Sequence, residues 1–226
     1  MKVIALTGRA GSGKDTAATM LQILTGASAP YPHECIDLDH YMERTQAFDY
    51  RFNNRNWTGG FNVYKLAFPV YQIVAVLLGI SDPYSIMNQA FKDSVTPFGF
   101  TGRELLQRVG TECFRDVIGK EVWCTVFKNK VETDAENIGE YFQGAIISDL
   151  RFLNEAQYNR DQYETYIIHL SGRDSGTPKD HPSEAEIDLI RPDIALKNTG
   201  SYADLMNQLA ATCQYLNIYN CKYTWQ

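Results

Sequence analysis

The chain opens on an apolar run, Val3 to Leu6, and afterwards alternates strand-like apolar stretches with segments of helical period. A run this short, unbroken by polar residues and closed by glycine, suits a strand buried on both faces. Ala17, Met20, Leu21 and Leu24 then recur at helical spacing and stop at Gly26, which predicts a first helix. Asn62 to Leu66 predicts a short strand, and Pro69 to Leu78 a helix with proline in its first turn and Gly79 at its end. Another helix is predicted from about Thr101 to Ile118, with Leu106, Val109, Cys113 and Val117 as its apolar side. Gly144–Ser148, Tyr166–Leu170 and Ile194–Leu196 read as strands, and Tyr202–Leu216 as a closing helix. The alternation predicts an α/β fold, a parallel sheet of about five strands with helices on both faces. Residues 27–60, rich in Pro, Asn and Gly, are too long for a plain connection and read as an insertion with structure of its own. The 226 residues suit one domain built around one core.

In an open parallel sheet, ligands sit outside the carboxyl ends of the strands. The loop at that end of the first strand reads Gly8-Arg9-Ala10-Gly11-Ser12-Gly13-Lys14-Asp15-Thr16. Glycines let backbone N–H groups turn toward phosphate oxygens, the lysine reaches the β- and γ-phosphates, and the following helix adds its positive end. Arg9, Gly11, Ser12, Gly13, Lys14, Asp15 and Thr16 are therefore the candidate ATP contacts. One position is unusual: the hydroxyl residue expected directly after the lysine is Asp15, with Thr16 one place later. A carboxylate beside a polyphosphate is repelled unless a cation stands between them, so Asp15 and Thr16 are candidate Mg²⁺ ligands. Asp15 is equally placed to act as a favourable negative charge in the first turn of a helix. Both roles stay open.

Composition narrows the picture further. At 44% hydrophobic and 21% charged, the chain has the make-up of an ordinary globular protein, and its net charge of −6 argues against a nucleic-acid-coating surface. The five cysteines have no metal or redox spacing and read as reduced thiols, and no targeting segment is expected before Val3, so a cytoplasmic location is expected. The longest apolar stretch, Ile73 to Ile80, is too short to span a bilayer.

Two more constellations carry chemistry. Arg103, Gln107, Thr111 and Arg115 are spaced by four and would share one stripe of the 101–118 helix, beside Gly110 and shortly before Trp123. Such a stripe could hold a phosphate and a base, although a solvated polar face has the same pattern. Asp149, Arg151 and Glu155 follow a strand end, where a magnesium-organising or substrate-gripping carboxylate and a phosphate-binding arginine are well placed. Arg151 and Glu155 are also spaced for a simple helix ion pair. Ser171 to Pro182 has the polar, glycine-containing composition of a closing lid. Asn129-Lys130-Val131-Glu132 approaches a guanine-reading motif but ends in Glu and lacks its companion motif, so it reads as chance.

The order of these motifs resembles the phage deoxynucleoside monophosphate kinases, within the P-loop nucleotide kinases. The resemblance runs through Gly11 to Thr16, Leu66 to Pro69, Thr101 to Gln107, Gly110 to Glu112, Trp123, Asp149 to Glu155, His181 to Glu184, Asp193-Ile194 and Asn198 to Gly200. It implies a three-layer P-loop sandwich of nucleoside monophosphate kinase type, with Gly11–Thr16 on ATP and Arg103 near the transferring phosphate. Gly110, Thr111, Trp123, Asp149, Arg151 and Glu155 would line a deoxynucleotide pocket, and Arg173 with the segment to Glu184 would form a lid at about 171–184. Lys14, Arg103 and Arg151 are then the candidate catalytic residues, ATP and Mg²⁺ the cofactors, and nucleotides the partners, with a homodimer left open. Nucleic acid and membrane partners are not expected. Two positions depart from the family: Tyr71 stands where a lysine often does, and Ala10 replaces a basic or polar residue, with Arg9, Lys65 or Lys92 able to compensate.

An acceptor that is itself a phosphate brings an oxygen already largely anionic at neutral pH, so no general base is needed. A P-loop kinase of a hydroxyl substrate would need one, and Asp37 or Asp39 would have to supply it. A nucleotide-binding switch or packaging ATPase would instead hydrolyse ATP slowly whatever acceptor is added.

Overall fold

A computed structural model describes residues 1–26, 60–172 and 186–218. The 27–60 insertion apart from Gly60, the lid beyond Gly172 with Arg173, and Asp37 and Asp39 lie outside the described residues. The chain forms two compact units, Met1–Tyr64 with Val131–Gln226, and Lys65–Lys130.

The first unit is built on a five-stranded sheet. Its strands are β1 (Lys2–Thr7), β2 (Gly60–Tyr64), β3 (Phe142–Ile147), β4 (Glu164–Ser171) and β5 (Ile194–Lys197), in spatial order β2-β3-β1-β4-β5. All pairs are parallel, with Ala5 opposite Ile147 on one side and Ile167 on the other. The apolar run at the start of the chain becomes the central strand, third of the five, and Val3 to Leu6 have no exposed surface. Helix α1 (Lys14–Thr25) follows β1 and is buried along most of its length. The closing helix, numbered α7 (Tyr202–Tyr215), packs against α1 and buries Leu205, Met206, Leu209 and Cys213. Burial pushes the Cys213 thiol up to about 12, which leaves it protonated and unreactive at neutral pH.

The second unit carries α2 (Phe68–Leu77), α3 (Gln89–Asp93) and α4 (Gly102–Gln107). Asn88 caps α3 through its side chain, and Thr101 and Glu104 form a reciprocal capping box on α4. Val70, Val74, Ala75, Ile86, Leu105, Val109 and Trp123 make its core. Helix α5 (Val122–Ile138) starts in this unit and ends in the first, and α6 (Leu153–Gln162) follows β3.

One expected element is altered. The helix predicted from Thr101 to Ile118 is α-helical only to Gln107 and continues as a π-helical segment, Arg108–Arg115. A π turn carries one more residue than an α turn, so positions four apart no longer stack. The expected stripe is accordingly broken: Arg103 and Gln107 are exposed, Thr111 is half-buried and Arg115 is buried. The expected apolar side holds at Val109 and fails beyond it: Cys113 is exposed and Val117 is 77% exposed, while Leu105 joins Val109 in the core and Leu106 packs against it partly buried.

Candidate functional site

The strand order reverses at β1 and β3, so the chain leaves their carboxyl ends in opposite directions and opens a crevice there. The phosphate loop follows β1, and Asp149 to Glu155 follow β3. The two segments predicted to carry the chemistry of the first unit are thus brought to adjacent strand ends.

The loop is shaped by close approaches as much as by its own sequence. Gly8 has φ 139°, and a methyl group there would run into the Leu170 carbonyl oxygen at the end of β4. Gly13 has φ 93°, and a methyl group there would run into the side-chain amide of Asn198. No L side chain is comfortable at either position. Lys14 is buried, and its ammonium donates to the Gly8 carbonyl at 2.6 Å, the Arg9 carbonyl at 2.8 Å and Ser12 Oγ at 3.5 Å. The lysine therefore closes the loop on itself. Asp15 is exposed in the first turn of α1, and Thr16 beside it is half-buried.

Asp149 is held by the backbone on either side of it. The Ser148 N–H donates to the Tyr64 carbonyl of β2 at 3.0 Å, and the Leu150 N–H donates to the Leu6 carbonyl of β1 at 3.1 Å. Glu155 is only 4% exposed, and one carboxylate oxygen accepts from the N–H groups of Arg151 and Phe152, each at 3.1 Å. These bonds satisfy N–H groups at the start of α6. Glu155 thus fixes the turn that presents Asp149 and Arg151, an arrangement more specific than the helix ion pair its spacing allowed.

Four residues that the sequence reading did not assign stand around this loop. Asp188, in a short 3₁₀ turn (Ile187–Leu189), accepts from the Arg9 guanidinium at 2.7 Å. Glu186 accepts from the Leu153 N–H at 3.0 Å, at the start of α6. Asn198, buried at the end of β5, donates to the Ser12 carbonyl at 2.9 Å. His169 on β4 has its pKa lowered, first by burial and then by the nearby Lys14 and Arg9 cations, with Asp188 opposing them. Asn198 opens the Asn198–Gly200 stretch of the family resemblance, whereas Glu186, Asp188 and His169 belong to no motif read from the sequence.

The Arg9–Asp188 pair leads to a first prediction. It is too exposed to contribute more than about 1 kcal/mol to stability. Its effect is electrostatic, because Asp188 neutralises a cation on the phosphate loop itself. Asp188→Asn should leave the melting temperature within a few degrees of wild type while tightening ATP binding severalfold at low salt. Calorimetric titration with MgATP checks this; unchanged or weaker binding would show that Arg9 does not face the nucleotide.

In the second unit, Arg103 is exposed on α4 and pairs with Asp93 at 3.4 Å. Gly110 and Thr111 lie within the π segment, and such segments often mark functional sites. Trp123 is in the core; its indole N–H donates to the Gly110 carbonyl at 2.9 Å, and its ring packs against Phe114 with centroids 5.1 Å apart. It therefore supports the π segment from behind, a packing role that its place in the sequence did not suggest. Lys92 places its ammonium 5.9 Å from the centroid of the Tyr71 ring, so a cation does stand by the position where the family's lysine is replaced.

Known proteins resemble this chain along most of its length. A deoxynucleoside-5'-monophosphate kinase of Escherichia phage T5 is 20% identical, the alignment covering 82% of this chain and 84% of that protein. A protein of Acanthamoeba polyphaga mimivirus, provisionally named a deoxynucleotide monophosphate kinase, is 26% identical over 92% of this chain and 94% of its own. Among solved structures, a shikimate kinase from Aquifex aeolicus vf5 aligns over 96% of this chain and 99% of its own, at a TM-score of 0.41 and 13% identity, too distant a likeness to bear on function. A family pattern described as deoxynucleotide monophosphate kinase matches residues 74–209, more than half of the chain: the chain belongs to that kinase family.

Proposed function

We propose that this protein transfers the γ-phosphate of ATP to a deoxynucleoside monophosphate, giving the diphosphate and ADP for deoxynucleotide supply. The observation that carries this reading is the pairing of the phosphate loop with Asp149 and Arg151 at neighbouring strand ends. One segment suits a triphosphate, and the other offers an arginine suited to a second phosphate.

In the transfer, an oxygen of the acceptor phosphate attacks the γ-phosphorus while the bond to the β-phosphate oxygen breaks, and ADP leaves with that electron pair. Lys14 exchanges its bonds to the loop carbonyls for phosphate oxygens and follows the charge as it moves to the leaving oxygen. Arg151 holds the acceptor phosphate in line, and Arg103 is proposed to neutralise the transferring group. Asp149 orients the acceptor, and Glu155 keeps that turn in register. Gly110 and Thr111 are proposed to contact the deoxynucleotide, with Trp123 behind them. Asp15 and Thr16 offer hard oxygen donors beside the cradle, which suits magnesium, an ion that commonly binds through one or two carboxylates and the substrate phosphates. Magnesium bound there would supply charge neutralisation across the β- and γ-phosphates.

The testing experiment measures ADP release from ATP and Mg²⁺ against a panel of nucleosides and ribo- and deoxynucleoside monophosphates. Stimulation by at least one deoxynucleoside monophosphate is expected. Stimulation by a nucleoside alone would move the reading to a hydroxyl kinase, and slow hydrolysis indifferent to every acceptor would replace it with an ATPase.

A further inference from the structure

We propose that Asn198 is a positioning residue of the phosphate loop, aiming the Gly13 N–H at the nucleotide by holding the opposite side of the same peptide. The inference rests on reading the loop as a triphosphate site. Ser12 C=O and Gly13 N–H belong to one planar trans peptide, so they point in opposite directions. Asn198 Nδ2 donates to the Ser12 carbonyl at 2.9 Å. Fixing that oxygen toward β5 fixes the Gly13 N–H toward the interior of the loop, and this N–H has no acceptor among the described residues.

Asn198 is itself firmly placed. It is 3% exposed, its own N–H donates to the Ser171 carbonyl at 2.7 Å, and its amide fills the space where a Gly13 side chain would be. Glycine at position 13 is thus doubly required, by its φ and by the asparagine packed against it. Without the amide donor, the Ser12–Gly13 peptide can rotate, since a glycine next to it imposes little resistance. A rotated peptide turns a carbonyl oxygen toward the phosphates in place of an N–H, exchanging an attraction for a repulsion.

Two variants test this. Asn198→Ala removes the donor, and Asn198→Asp keeps the shape while setting a carboxylate oxygen against the Ser12 carbonyl. Each should weaken MgATP binding by about tenfold or more, equal to about 1.4 kcal/mol, and raise the KM for ATP by the same factor. The KM for the phosphate acceptor should stay within twofold of wild type. The Gly13 amide resonance should shift strongly when ADP is added to wild type and markedly less in either variant, a signature that a residue which merely fills the core would not change. Folded variants with wild-type ATP affinity and an unchanged Gly13 response would overturn the proposal. Should neither variant fold, wild type decides: a Gly13 amide insensitive to saturating ADP overturns it, and a large shift supports it. Wild-type protein that binds neither ATP nor ADP would instead remove the reading of the loop on which the proposal stands.

Discussion

Lys14→Met should lower phosphoryl transfer by about two to three orders of magnitude, the range seen when one preorganised charge on a developing anion is removed. The same change also removes three bonds that close the loop in the absence of nucleotide. The variant should therefore be somewhat less stable as well as less active, by about 1–2 kcal/mol for the loss of charge-assisted bonds to the loop. Steady-state kinetics paired with denaturant unfolding separates the two effects. A folded variant within tenfold of wild-type turnover would mean that transfer does not pass through this loop.

Arg151→Ala is the second large effect expected, and its signature differs: activity falls while stability holds. The Glu155 carboxylate bonds to the Arg151 backbone N–H, so alanine leaves that cap in place. Turnover should drop by about a hundredfold or more, as the loss of a positioned charge on a phosphate predicts. Glu155→Ala gives the contrast, because it strips the acceptor from two N–H groups at the start of α6 and should cost about 1–2 kcal/mol of stability. Near-normal rates for Arg151→Ala would take Arg151 out of the site. Equal stability losses in both variants would show that the arginine side chain also holds the turn.

The strands were legible because each carries a short apolar run, most completely buried in β1. The second strand still falls earlier than its pattern suggested, at Gly60–Tyr64, because Gly60 and Phe61 enter the sheet through a shifted register. Helix α5 was not anticipated from its pattern: no Ser, Thr, Asp or Asn precedes Val122 to mark its start. Its buried Trp123, Cys124, Phe127 and Val131, followed by Gly139, could have revealed it. The π segment was out of reach, since one extra residue in a turn changes neither composition nor hydrophobic count. Asp188, and the contact made by the motif residue Asn198, were hidden for another reason: a single polar residue has meaning only through its partner, here 179 and 186 positions away.

Those separations bear on how the protein matures. β1 pairs with β3 and β4, and the loop that follows it is braced by Leu170, Asp188 and Asn198. None of these braces exists until most of the chain has been synthesised, so a ribosome-bound chain ending before β4 carries the glycines and Lys14 but no fixed cradle for them. Contacts of such long range also slow folding. Nucleotide should therefore stabilise the finished fold without guiding the early chain, and its protection should emerge late and abruptly during synthesis.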